Sequence, residues 1–187
     1  APDSAVAVRK HKDNPGYSPT SGRTMVDVGD SAPDFTAPLV DDDVQPFTFS
    51  ERDVDGPAVL AFFPGAFTSV CTSEMNTWEN RLEDVEKAGA SIYGVSVDTP
   101  FGLKEFADVN ELSYPLVSDT NKEIIDAYDV EMDFADLGYY GVAKRAVVVV
   151  DDDGEVTYAW ISDAPGVEPD YEEVIAAATA AADVADD

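Results

Sequence analysis

The sequence predicts an α/β fold, with a central mixed β-sheet flanked by helices on both faces. Three observations carry that expectation. Short apolar runs of strand length alternate with stretches whose apolar residues recur every three or four positions. The last two strand-like runs are joined by a tight turn, so at least one pair in the sheet is antiparallel. A chain of 187 residues also suits one compact domain, or one domain with a tail.

The elements follow in order. Residues 59–63 read as a buried strand. Met75, Trp78, Leu82 and Val85 then form the stripe of an amphipathic helix. Residues 91–97 read as a second strand. Thr99-Pro100 offers an N-cap with proline at the first helical position and opens a short helix through Phe106. Residues 114–117 read as a short strand. Thr120-Asn-Lys-Glu123 reads as a capping box ahead of a helix bearing Ile124, Ile125 and Tyr128. Residues 146–150 and 155–161 are strands joined at Asp153-Gly154, a hairpin turn signal. Asp170-Tyr-Glu-Glu173 caps a final alanine-rich helix ending near Ala182. The closing hairpin and helix suggest a thioredoxin-like arrangement, although composition alone does not choose it over other α/β folds.

Composition excludes several functions. The chain carries 39 acidic and 11 basic residues, a net charge of −28. Nucleic acid and anionic membrane surfaces are poor partners, because both need clustered Lys and Arg. Disorder is the usual reading of strong acidity, but here 44% of residues are apolar and 10% aromatic, enough for a core. A folded chain this acidic repels itself unless salt screens it. The expected setting is the cytoplasm of an extreme halophile with a salt-rich interior. No stretch has the length of a transmembrane helix, and none near the N-terminus resembles the apolar core of a signal peptide. Asp41–Asp43 and Asp151–Asp153 lack calcium-loop spacing and read as solvated surface.

Residues 1–24 stand apart, with four basic and two acidic residues and no apolar periodicity. They read as a flexible extension, with Met25 as a natural start and residues 25–187 as the domain.

The chemistry concentrates in one segment. Phe62-Phe-Pro-Gly-Ala-Phe-Thr-Ser-Val-Cys-Thr-Ser-Glu74 joins a buried strand to an amphipathic helix and holds Cys71, the sequence's one cysteine. That placement puts Cys71 in the first helical turn, where free N–H groups and the positive dipole end favour a thiolate. Such a position beside a cation lowers a thiol from about 8.5 to roughly 3.5–7.5. Pro64 shapes the turn without offering a donor, and Thr68, one turn earlier, can set a hydroxyl beside the sulfur. A lone cysteine is ordinarily a small buried apolar residue; its setting among Thr and Pro argues for reactivity instead. The only histidine, His11, lies in the extension, so a Cys-His hydrolase is a poor reading.

Pro64-x-x-x-Thr68-x-x-Cys71 resembles the active-site motif of the peroxiredoxins, the alkyl hydroperoxide reductase/thiol-specific antioxidant family. The resemblance runs from about Val28 to Val174. It includes Gly29-Asp-Ser-Ala-Pro-Asp-Phe35, Val95-Ser-Val-Asp98, Pro100-Phe-Gly-Leu-Lys-Glu-Phe106, Tyr114-Pro-Leu-Val-Ser-Asp119 and Arg145-Ala-Val-Val-Val-Val-Asp151. The lack of a second cysteine places the chain with the one-cysteine members. By that resemblance Cys71 is the peroxidatic nucleophile, Thr68 holds the peroxide, and Arg145 stabilises the thiolate and the leaving oxygen. Pro64 shields the sulfenic acid, and Thr68, Val70, Cys71 and Arg145 form the substrate-binding set. Glu74 matches a position that orients the arginine, against which stands the ordinary reading of a surface glutamate.

The resemblance implies a thiol-dependent peroxidase on a thioredoxin-like fold, acting on hydrogen peroxide or organic hydroperoxides. It implies an external thiol or a thioredoxin-like reductant, a homodimer or higher homo-oligomer, and no metal, flavin or nicotinamide. Two other readings are a thiol sensor that relays oxidation to a partner protein and a thioredoxin-fold binding module with an inert cysteine. Tyr139, Tyr140 and Phe134 fall in a glycine-containing loop before Arg145, lining either the pocket or a subunit contact. The acidity itself predicts that the protein refolds to a more stable state in molar KCl than in low salt; equal denaturation midpoints in both contradict it.

Overall fold

The structure, a computed structural model, describes residues 25–185; the expected extension of residues 1–24 lies outside them. The elements in chain order are β1 Thr36–Val40, β2 Val44–Thr48, β3 Ala58–Phe62, α1 Ser69–Asn80, α2 Leu82–Lys87, β4 Ser91–Ser96, α3 Pro100–Asn110 and β5 Leu116–Ser118. There follow α4 Glu123–Ala127, β6 Glu131–Phe134, β7 Tyr139–Ala143, β8 Arg145–Val150, β9 Val156–Ser162 and α5 Tyr171–Ala185. Seven strands form one sheet in the order β2-β1-β5-β4-β3-β8-β9, while β6 and β7 pair with each other. β3, β4 and β5 run parallel; β8 and β9 add antiparallel to one side, β1 and β2 to the other. The sheet is therefore mixed, as expected.

Strand alternation divides the core. Val59, Ala61, Val147 and Val149 face one side, against Met75 and Trp78 of α1, Val85 of α2, Leu103 and Phe106 of α3, and Val174 and Ala178 of α5. Ala58, Leu60, Phe62, Ala146 and Val148 face the other, against Ile124 and Ile125 of α4, Tyr128, and the aromatic rings of Phe35 and Phe49. Strands buried on both faces give the continuous apolar runs seen in the sequence.

Several local expectations change. The stripe from Met75 to Val85 is carried by two helices, not one, because the chain breaks at Arg81, whose N–H bonds to both the Thr77 and Trp78 carbonyls. The helix expected to end at Phe106 continues to Asn110 and closes on Glu111 in the left-handed region. Its start is as expected, with Thr99 Oγ1 accepting from the Gly102 N–H at 3.2 Å. The capping box at Thr120 does not form. Lys122 takes a left-handed φ of +62°, and α4 is capped by Asp119, whose carboxylate accepts from the Ile124 and Ile125 N–H groups at 3.0 and 2.8 Å.

Two hairpins are additional to the expected order. In the first, Pro38 of β1 stands opposite Pro46 of β2, and prolines suppress a strand reading. β2 is an edge strand, and β5 pairs with β1 only at Leu39 and Val40, so neither proline interrupts a needed ladder bond. The second is the β6–β7 pair, where a loop was expected around Phe134, Tyr139 and Tyr140. A register shift between Met132 and Phe134 blurs its alternation. The closing turn matches the sequence reading, with Gly154 at φ +81° between β8 and β9. Among the described residues no helix is long and apolar enough to cross a membrane.

Candidate active site

The site forms where the C-terminal end of β3 meets the N-terminal end of β8. These strands are antiparallel, with Phe62 opposite Ala146, so Arg145 stands level with the start of the loop that leads to α1. Alternation then sets its direction. Ala146 belongs to the α4 side, while Arg145 shares a face with Val147, on the side of α1. On its other flank Arg145 pairs with Ser162, the last residue of β9, which brings the following loop within reach.

The loop from Pro64 to Thr68 is tightly held. Pro64 and Gly65 are buried, whereas Phe67 and Thr68 are exposed. Phe67 takes a left-handed φ of +64°, an uncommon conformation for a bulky residue. An edge-to-face contact with Phe106, ring centroids 5.2 Å apart, secures it. The Ala66 N–H donates to Asp98 Oδ2 at 2.8 Å, and Ser96 Oγ donates to the same oxygen at 2.6 Å. Asp98 thus ties the loop to the end of β4. Thr68 is the N-cap residue of α1, but its hydroxyl donates to the Gly65 carbonyl at 2.9 Å instead of capping the helix.

Cys71 is the third residue of α1 and is buried, 2% exposed. The first turn, Ser69 to Thr72, holds no acidic residue, although carboxylates favour helix N-termini and this chain is rich in them. Val70 is half-buried beside the cysteine. Glu74, one turn on, shares the cysteine's face of the helix and has no exposed surface. The surface reading of Glu74 is therefore set aside.

Arg145 joins these groups. It is 1% exposed. Its Nη2 donates to Cys71 Sγ at 3.2 Å and to the Pro165 carbonyl at 2.8 Å. Its Nε also donates to Pro165 O, at 3.1 Å, and its Nη1 donates to Glu74 Oε2 in a buried ion pair. A cation fixed against sulfur in this way stabilises negative charge there.

Burial pushes the Glu74 carboxyl up, to about 7, although Arg145 and the nearby Trp78 indole favour its charged form. Burial alone would lower the Arg145 guanidinium, but Glu74 and Cys71 outweigh it and the net shift is upward. Glu74 Oε1 and Trp78 Nε1 both lack hydrogen-bond geometry to any partner among the described residues.

Of the residues singled out in the sequence, the structure gathers Cys71, Glu74 and Arg145 into direct contact and sets Pro64, Thr68 and Val70 in the adjoining loop and turn. No bond joins Thr68 to the sulfur. The sequence gives no role to Asp98 or Pro165, and for Tyr139 it leaves open a pocket lining or a subunit contact. Residue type and spacing do not show that Asp98 anchors the loop through the Ala66 N–H, and Pro165 acts through its carbonyl, which side-chain identity does not reveal.

A reactive-thiol protein on a thioredoxin-like α/β fold is the class that this sheet and this cysteine define. Residues 28–159 match the AhpC/TSA family, and the chain belongs to it. It is 34% identical over 143 residues to a chloroplastic 2-cysteine peroxiredoxin of Chattonella marina var. antiqua, covering 72% of this chain and 70% of that one. It is 32% identical over 144 residues to alkyl hydroperoxide reductase C of Helicobacter pylori, covering 72% and 70%. Among solved structures, peroxidoxin BcpB from Mycobacterium tuberculosis superposes with a TM-score of 0.72 at 28% identity, over 84% of this chain and 98% of that one. The protein is a peroxiredoxin, a thiol-dependent peroxidase that takes a peroxide substrate and a thiol reductant.

The raised Glu74 carboxyl links the site to stability. The folded state holds that proton more tightly than the unfolded chain, so the group's contribution is complete below its ordinary value near 4.5 and is lost as pH rises through about 7. Urea unfolding in molar KCl should therefore show wild-type stability falling between pH 5 and pH 7.5 relative to Glu74→Gln. Parallel pH profiles for the two proteins contradict this.

Proposed function

We propose that this chain reduces hydroperoxides by a one-cysteine cycle in which Cys71 is the nucleophile. The observation that carries this reading is the donation from Arg145 Nη2 to Cys71 Sγ at 3.2 Å, within a buried network at a helix N-terminus. The thiolate attacks the terminal oxygen of R–O–O–H. The S–O bond forms, the O–O bond breaks, sulfur is oxidised by two electrons to a sulfenic acid, and the alkoxide leaves and takes a proton. Arg145 stabilises the thiolate and the charge that develops on the departing oxygen. Glu74 orients Arg145.

Thr68 holds the peroxide. Its proton is directed to the Gly65 carbonyl, so its free lone pairs are available to accept from the peroxide O–H. Pro64 and Val70 wall the pocket, and Pro64 limits the water and second peroxide that reach the sulfenic acid.

With Cys71 the sequence's one cysteine, reduction uses an outside thiol, small or carried by a thioredoxin-like protein. A first thiol displaces water and forms a mixed disulfide. A second releases the Cys71 thiol and leaves the reductant as its disulfide. No cofactor enters the cycle. The chain acts as a homodimer or higher homo-oligomer; Phe101 and Leu137, 76% and 78% exposed, are apolar surface for a second copy to cover. Its setting is the cytoplasm of a halophile, in keeping with the charge of −28.

Mass spectrometry after one equivalent of hydrogen peroxide in molar KCl, with a sulfenic acid trap, tests this reading. Cys71 should be labelled stoichiometrically in the wild type and not in Cys71→Ser. The labelling rate should fall at least about 100-fold in Arg145→Ala, the scale expected for losing a donor aimed at developing charge. A folded wild-type protein whose Cys71 stays unlabelled overturns the reading.

A further inference from the structure

The side-chain donors of the thiol site are almost all committed. Arg145 carries five N–H groups, and four are taken: Nε by Pro165, both on Nη2 by Pro165 and Cys71, and one on Nη1 by Glu74. The Thr68 hydroxyl donates to Gly65. An alkoxide departing toward solvent gains from a further donor on the outer side of the site.

Tyr139 stands beside the Gly65–Thr68 loop that leads into Cys71. It is the first residue of β7, and Gly138, at φ +64°, turns the chain into it. Its ring stacks on Phe134 of β6, with centroids 6.3 Å apart and planes within 11°. Its hydroxyl lies 3.9 Å from the point that a Cβ on Gly65 would occupy, with Thr68 Cγ2 4.0 Å from that same point. A side chain at position 65 would therefore fill the space between loop and phenol. The Tyr139 side chain is partly open to solvent, the residue being 44% exposed, and its hydroxyl has no hydrogen-bond partner among the described residues. Burial, then the charges of Asp98 and Cys71, raise its pKa, so the phenol keeps its proton.

We infer that Tyr139 is a substrate-contacting residue of the thiol pocket, whose hydroxyl donates a hydrogen bond to the leaving oxygen of the hydroperoxide. This rests on the peroxidase reading of Cys71. As the S–O bond forms and the O–O bond breaks, negative charge collects on the oxygen that bears the substituent. The phenol O–H stabilises that charge and passes its proton to the alkoxide, and the phenolate takes one proton from the buffered solvent to restore the phenol. The β6–β7 hairpin thus supplies part of the active site, although it lies outside the main sheet.

The test is stopped-flow oxidation of wild type and Tyr139→Phe in molar KCl with hydrogen peroxide and cumene hydroperoxide, beside alkylation of Cys71 by iodoacetamide. Loss of a hydrogen bond to a charged oxygen should slow both peroxides about ten-fold. Alkylation, which releases iodide and needs no such donor, should change less than about two-fold. Unchanged peroxide rates overturn the inference. Peroxide and alkylation rates that fall together also overturn it, because the tyrosine would then act on the thiol. A wild-type Cys71 that neither peroxide oxidises overturns the peroxidase reading itself, and this inference with it.

Discussion

The buried guanidinium of Arg145 is the constraint on which the rest of the site depends. A charge with 1% exposure is strongly unfavourable unless its donors find acceptors. Here a carboxylate, a carbonyl and a sulfur share the task, and they come from two separate parts of the chain, helix α1 and the loop after β9. Each has its own reason to be in place: Glu74 shares a helix face with Cys71, and Pro165 follows the strand that pairs with Arg145. Reactivity at sulfur and satisfaction of a buried cation are thus one arrangement. The high acidity of the chain makes this more notable, because the first turn of α1 excludes carboxylates and leaves the cation's influence to Cys71 and Glu74 alone.

The fold explains why these groups meet. β3 and β8 are central neighbours, and antiparallel pairing brings the end of one beside the start of the other. Period-two alternation turns Arg145 toward α1 and Ala146 away from it. A one-residue slip of β8 would turn Arg145 to the α4 side, so register is a functional specification as well as a packing one. The loop before Cys71 is fixed separately, through the Ala66 N–H to Asp98 and through Phe67 against Phe106.

Much of this was legible in the sequence. The central strands announce themselves as apolar runs, and the segment around Cys71 places that cysteine at a helix start. Arg145 and Glu74 were readable only through resemblance to a family, because neither periodicity nor spacing shows that two charges will be buried against each other. The parts that escaped have physical causes. Paired prolines concealed the β1–β2 hairpin. A left-handed Lys122 moved the cap of α4 from Thr120 to Asp119, and sequence does not display φ. Tyr139 reads as a loop tyrosine until the hairpin that carries it is folded over Gly65.

The central claim is that Glu74 and Arg145 act as one unit on Cys71, and a double-mutant cycle tests it most directly. Glu74→Gln, Arg145→Lys and the double variant would be compared with wild type by the second-order rate constant for Cys71 oxidation in molar KCl. The account predicts strong coupling: once either partner is changed, changing the other should cost at least about ten-fold less than it does alone. Effects that simply multiply would show that the two residues act independently, and would contradict the account.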